Sequence, residues 1–167
     1  LRTALILSEP LKDARVVAVT SAVNAEGKTS VALQLAVSIA RASGDKVALI
    51  DGDMRSPDIH RVLGLPLSPG LAEVLAGECK LEEALITTWS NHVHIVPAGR
   101  LKISPHKLLN NGNVKSVLEQ LRQTYDYVVI DTPPVLPASE SLVLARAADI
   151  TLVCTMRDVS RVDQVRK

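Results

Sequence analysis

The chain has no phenylalanine, one tryptophan (Trp89) and two tyrosines (Tyr125 and Tyr127) in 167 residues. Proteins that hold single-stranded nucleic acid stack its bases on aromatic rings, so that class is disfavoured. The core has to be assembled from Val, Leu, Ile and Ala. An excess of one charge is lacking too: Lys and Arg number 19 against 18 Asp and Glu, a net charge of +1. No basic field is left to attract a polyanion, and no nucleic-acid partner is expected. Cysteine is sparse. Cys79 and Cys154 stand far apart with no paired His motif. They read as small core or surface residues in a reducing cytoplasm rather than as a disulfide or metal site. No apolar run approaches the ~18 residues that would cross a bilayer, and no signal peptide is visible.

What is present suits one compact α/β domain over residues 1–167, with 47% hydrophobic and 22% charged residues. The chain opens in a helical-looking stretch at Leu1 and stops in a polar one at Lys167, so a fragment of a longer polypeptide is expected. Runs at 16–20, 47–50 and 127–130 are apolar on both faces and predict buried parallel strands. Residues 94–97 and 150–154 predict two more. Helical spacing predicts helices over 29–42, 73–76, 81–86, 114–124 and 139–147, with Gly44 stopping the first. Pro- and Gly-rich segments at 63–70 and 99–105 read as loops. Strands alternating with helices imply a doubly wound, mostly parallel sheet flanked by helices.

Three motifs carry the chemistry. The first strand runs into Gly27-Lys28-Thr29, the end of a Walker A phosphate loop, and a helix follows. Backbone N–H groups and the positive end of that helix can cradle a phosphate. Gly27 permits close approach, Lys28 brings a mobile cation to the β- and γ-phosphates, and the Thr29 hydroxyl can ligate Mg²⁺. The general pattern has Gly where this chain has Ala22, and a related loop often has Gly at Ala25. Asn24, Ala25, Glu26, Gly27, Lys28, Thr29 and Ser30 are taken as the nucleotide-binding stretch. The second strand ends in Asp51-Gly52-Asp53-Met54-Arg55. Two acids one residue apart repel each other unless a cation or proton is shared. Arg55 could pair with one of them or reach a neighbouring subunit. The third motif, Ile130-Asp131-Thr132-Pro133-Pro134, has the Walker B form, an apolar strand that delivers one carboxylate towards Mg²⁺.

Taken in order, Walker A, Asp-x-Asp-x-Arg and hydrophobic-Asp-x-x-Pro resemble the bacterial tyrosine kinases, the capsular and exopolysaccharide tyrosine autokinases. Other stretches are similar to that family as well: residues 1–5, with Arg2; residues 70–78, with its Gly-Leu-x-x-x-Leu-x-Gly; and Pro97-Ala98-Gly99 with Pro105, Leu108 and Leu109. The resemblance implies a P-loop NTPase fold and a kinase that uses ATP with Mg²⁺ and leaves ADP. Lys28, Asp51, Asp53 and Asp131 become the implied catalytic set, Thr29, Asp51 and Asp131 the implied metal-holding set, and Arg55 a nucleotide-binding residue. Whether Asp51 or Asp53 is the base stays open. The implied partners are a transmembrane polysaccharide copolymerase that activates the kinase, neighbouring subunits in a ring, and tyrosine-containing protein substrates. The implied location is the cytoplasmic face of the bacterial plasma membrane.

The chain departs from that family in lacking all but Arg2 of the N-terminal Glu-x-x-Arg-x-x-Arg helix, and in having no tyrosine cluster after the last strand. Tyr125 and Tyr127 read as packing residues. Two other functions compete with the kinase. A partition-type ATPase switch shares the fold but places a second Lys early in the phosphate loop, and residues 21–24 contain none. A non-catalytic nucleotide-binding module of a polysaccharide export system is the other. His60, His92, His94 and His106 are scattered and suggest no site. Arg157 and the mixed charges of 157–167 suggest a solvated helix.

Overall fold

A computed structural model describes residues 13–110 and 113–156. One sheet holds β1 (Val16–Ser21), β2 (Val47–Asp51), β3 (Val93–Val96), β4 (Tyr127–Asp131) and β5 (Ile150–Cys154). Its order is β3-β2-β4-β1-β5, and every pairing is parallel. Parallel neighbours require long crossovers. These contain α1 (Lys28–Ser43), α2 (Ile59–Leu63), α3 (Leu71–Leu75), α4 (Leu81–Ala84), α5 (Pro105–Asn110), α6 (Asn113–Thr124) and α7 (Glu140–Ala147).

Side chains alternate along each strand, which splits the core in two. Val17, Val19, Leu49 and Ile95 face α1 through Ala32, Leu35, Ala36 and Ile39. Val16, Ala48, Ile50 and Ile130 face the other helical layer through Leu75, Leu118, Leu121 and Leu144. Each fully buried Leu or Ile contributes about 1.5–3 kcal/mol. The result is the three-layer α/β architecture of a P-loop NTPase. The central strands are buried on both faces, whereas β5, at the edge, alternates between half-buried and exposed.

Several boundaries move for local reasons. The helix expected at 73–76 begins at Leu71 because Glu73 reaches back to accept from the Gly70 N–H at 3.0 Å. The helix expected at 81–86 ends at Ala84, since Ile86 leaves it to pair with Ile95 in an isolated antiparallel bridge. Gly44 stops α1 as expected, in the left-handed region at φ 75°, with its N–H on the Ala40 carbonyl. Pro105, expected in a loop, opens α5. Tyr125 is buried with its hydroxyl 2.8 Å from His94 Nδ1, and burial pushes the phenol up to about 12. Tyr127 packs against the α1 face of the sheet. The stretches read at 1–5 and 157–167, with Arg157, lie outside the described residues.

Candidate active site

The three motifs meet because of strand order. Asp51 and Asp131 are register partners on adjacent strands β2 and β4, and Val19 of β1 pairs with Asp131 from the other side. All three strand ends therefore open on the same edge of the sheet, where doubly wound folds bind ligands. Gly52 makes this convergence tight. Its N–H donates to the Asp131 carbonyl at 2.7 Å, and a Cβ there would lie 2.8 Å from that oxygen and 2.9 Å from Leu144 Cδ1.

The loop after β1 is shaped for an anion. Ala25 (φ 66°) and Gly27 (φ 81°) both occupy the left-handed region, a pattern that turns backbone N–H groups inward. For Ala25 this costs roughly 1–2 kcal/mol, local strain of the kind found at ligand sites. α1 starts at Lys28, so its first N–H groups, which have no partner within the helix, face the same concavity. Glu26 is buried, and its Oε2 accepts from the Val23 N–H at 2.9 Å. The carboxylate thus braces the loop from within.

Lys28 is nearly buried. Its Nζ lies 3.0 Å from Asp53 Oδ2 and 3.8 Å from Asp131 Oδ1. Burial alone would lower its pKa, but Asp131, Asp53 and Asp51 outweigh that and raise it. Asp51 is fully buried. Burial, joined by repulsion from Asp131, pushes its carboxyl up to about 7. The Asp53 and Ile59 N–H groups donate to Asp51 at 3.2 and 3.1 Å. Asp53 Oδ1 accepts from the Ser56 N–H at 3.1 Å. Burial pushes Asp131 up to about 6, against the pull of Lys28 and of the nearby Thr29 hydroxyl. Neither Asp131 oxygen has a hydrogen-bond partner although both are buried.

A cleft of about 690 Å³ opens above this cluster, lined on one side by Asn24, Ala25, Gly27, Lys28, Thr29 and Ser30, with Asp53 at its floor. The structure thus brings together every expected site residue except two in contact with the opening or directly beneath it. Glu26 turns into the loop. Arg55 reaches away, and its guanidinium Nε (3.1 Å) and Nη2 both donate to Glu140 Oε1. Glu140 is buried, and its carboxyl sits below the usual range. Burial acts to raise it, but the Arg55 hydrogen bond and the helix backbone outweigh that. Glu140 and Gly52 were not singled out from sequence. Nothing local marks a partner 85 positions away.

The Asp131 oxygens lie near Lys28 Nζ, Oδ1 at 3.8 Å, but accept no hydrogen bond, and buried acceptors of this kind fit a divalent cation or water. The donors nearby are hard oxygens, as Mg²⁺ requires. Among the described residues no three His, Cys, Asp or Glu side chains could hold a metal by themselves. This fits a cation that takes the rest of its shell from phosphates, a hydroxyl and water.

Residues 14–162 match the AAA domain family. Tyrosine-protein kinase YwqD of Bacillus subtilis is 30% identical over 167 residues, covering 100% of this chain and 70% of that protein. Tyrosine-protein kinase CpsD of Streptococcus pneumoniae is 33% identical over 163 residues, covering 92% of this chain and 70% of that protein. Putative tyrosine-protein kinase AmsA of Erwinia amylovora is 30% identical across 99% of this chain, which spans only 23% of that protein. Among solved structures, the kinase domain of Escherichia coli tyrosine kinase ETK superposes with a TM-score of 0.90 at 27% identity, over 98% of this chain and 63% of that one. The VpsO kinase domain superposes with a TM-score of 0.89 at 34% identity, over 99% and 81%. The septum site-determining protein MinD of Pyrococcus horikoshii, complexed with Mg-ADP, matches less well, at 0.76 and 27%, over 90% and 61%. With its three motifs converging as they do, the chain belongs to the bacterial tyrosine kinases, within the AAA domain family of P-loop proteins.

Proposed function

We propose that this domain transfers the γ-phosphoryl group of ATP to protein tyrosines, in a system that controls capsule or exopolysaccharide synthesis and export. The observation that carries this reading is the meeting of Lys28 with Asp53 and Asp131 at 3.0 and 3.8 Å below the phosphate loop. Phosphoryl transfer asks a protein mainly for positioning and charge neutralisation, and this cluster supplies both. A bound Mg²⁺ would supply neutralisation of the phosphate charge. Thr29, Asp51 and Asp131 are the residues proposed to hold it or its waters.

Asn24, Ala25, Gly27 and Ser30 offer backbone to the phosphates, and Lys28 leaves Asp53 to meet them. The tyrosyl oxygen forms a bond to the γ-phosphorus as that phosphorus parts from the bridging oxygen, which leaves with the electron pair as ADP. Asp53 is proposed to take the phenolic proton. It lines the cleft, whereas Asp51 is fully buried and does not. Glu26 and Arg55 are proposed to act on nucleotide binding indirectly, by bracing the loop and the Asp53 turn.

Membership of the bacterial tyrosine kinases motivates further proposals: ring assembly with neighbouring subunits, activation by a transmembrane polysaccharide copolymerase, and placement at the cytoplasmic face of the membrane. Among the described residues no helix is long and apolar enough to cross a membrane, so a partner or another segment is proposed to provide the anchorage. The test is incubation with γ-labelled ATP, Mg²⁺ and a tyrosyl peptide. Label on tyrosine, lost in Asp53→Asn although nucleotide still binds, is the expected result. Absence of phosphotyrosine with every activator tried rejects the reading.

A further inference from the structure

The nucleotide cleft is larger than its phosphate loop. Besides that loop it is lined by Leu33 and Gln34 of α1 and by Ile59 and Val62 of α2. Ser30, Leu33 and Gln34 fall three and four residues apart, on one face of α1, and Ile59 and Val62 three apart, on one face of α2. These residues give an apolar trough within the same cleft that Asp53 lines. Its walls are mainly aliphatic. Val62 is 64% exposed, the most exposed of the large hydrophobic side chains among the described residues. Asp58, which also lines the cleft, is paired with Arg61 at 3.0 Å, so it adds little net charge.

We propose that this trough receives the aromatic ring of the acceptor tyrosine, with Leu33 and Val62 as its specificity-determining walls. The proposal rests on the kinase reading above and deepens it. Aliphatic walls offer nothing to a phosphate or a ribose hydroxyl, but suit an apolar body. A phenol has such a body with one polar tip, and the carboxylate assigned to that tip lines the same cleft. The adenine base is the other flat group to place. Lys28 and the carboxylates mark the γ-phosphate end of the site, and a base on the same nucleotide leaves from the opposite end. Asp53, at the γ end, lines the same cleft as Leu33 and Val62, which favours the acceptor. The ring is read by the walls and the hydroxyl by Asp53, so a phenylalanyl peptide binds the trough nearly as well as a tyrosyl one while accepting no phosphate.

The test uses the intact protein carrying this domain, with Val62→Asp and the conservative Val62→Leu. A fluorescent tyrosyl peptide is titrated in the presence of a non-hydrolysable ATP analogue with Mg²⁺, and nucleotide affinity is measured separately. Losing the burial of one aliphatic side chain corresponds to about a tenfold change. Val62→Asp is therefore expected to weaken peptide binding and raise the peptide KM by about tenfold or more, with nucleotide affinity within about twofold of the wild type. Val62→Leu restores peptide binding. Unchanged peptide affinity in Val62→Asp overturns the proposal while leaving the kinase reading standing, provided the wild type labels tyrosine. Loss of nucleotide affinity in step with peptide affinity also overturns it, since the base then occupies the trough. A wild type that labels no tyrosine overturns both.

Discussion

Replacing Asp131 with Asn tests the cost of keeping a buried carboxylate ready for a ligand. Burial lifts this carboxyl from its ordinary 3.8 to about 6. A shift of roughly two units corresponds to about 3 kcal/mol of disfavour for the charged form at neutral pH. Asn has the same shape without that charge. The pull of Lys28 at 3.8 Å is already contained in that shift, so a net stabilisation of up to about 3 kcal/mol is expected. For a chain of this size that is a rise in Tm of up to about 6–12 °C in the absence of nucleotide. The sign with pH follows from the direction of the shift. A carboxyl whose folded value is raised contributes stability that is full below its unfolded value and is lost as pH rises through about 6. The advantage of Asp131→Asn therefore grows between about pH 4 and pH 7, where the wild type is losing stability, and then levels off. Thermal unfolding across that range, with and without Mg-ATP, is the assay. The variant is also expected to lose the Mg²⁺-dependent part of the nucleotide-induced rise in Tm. A variant less stable than wild type at pH 7.5, or one that keeps the full Mg²⁺ response, refutes the reasoning.

Other perturbations test the supports of the site. Glu26→Ala removes the 2.9 Å bond to the Val23 N–H and should weaken nucleotide binding by about tenfold, a loss expected for one charged hydrogen bond; Glu26→Gln, measured by the same titration, should keep most of the affinity. Gly52→Ala drives a Cβ to within 2.8 Å of the Asp131 carbonyl and should cost about 1–3 kcal/mol in chemical denaturation. Arg55→Ala leaves buried Glu140 without its guanidinium. Because Arg55 is half exposed, the cost should be only about 1 kcal/mol. Glu140 has a lowered folded pKa, so its contribution is present above the ordinary carboxyl range and lost as pH falls. The difference between wild type and Arg55→Ala should accordingly shrink in unfolding curves taken at acid pH.

The core strands were legible because residues buried on both faces leave unbroken apolar runs, as in Val47–Asp51 and Tyr127–Asp131. The helix after the phosphate loop was legible too, being 16 residues long and closed by Gly44. Helices Ile59–Leu63 and Pro105–Asn110 were not, because five or six residues are too few to display a helical period. The site motifs announced themselves by order along the chain. What hid was everything set by the third dimension: the strand order that makes Asp51 and Asp131 neighbours, and the inward turn of Glu26. Arg55 was read as a nucleotide ligand from its motif. Its partner Glu140 sits in the first turn of a helix far along the chain, visible only once α7 packs beside the Asp53 turn.

Calorimetric titration of ATP against the wild type and Lys28→Ala, each with and without Mg²⁺, reports on the claim that three chain segments converge on one triphosphate. The expected result is a complex with the wild type that tightens with Mg²⁺, and about ten- to a hundredfold weaker binding without the Lys28 ammonium, the range for a buried charged hydrogen bond. No detectable complex with the wild type, or equal affinity in Lys28→Ala, contradicts the account.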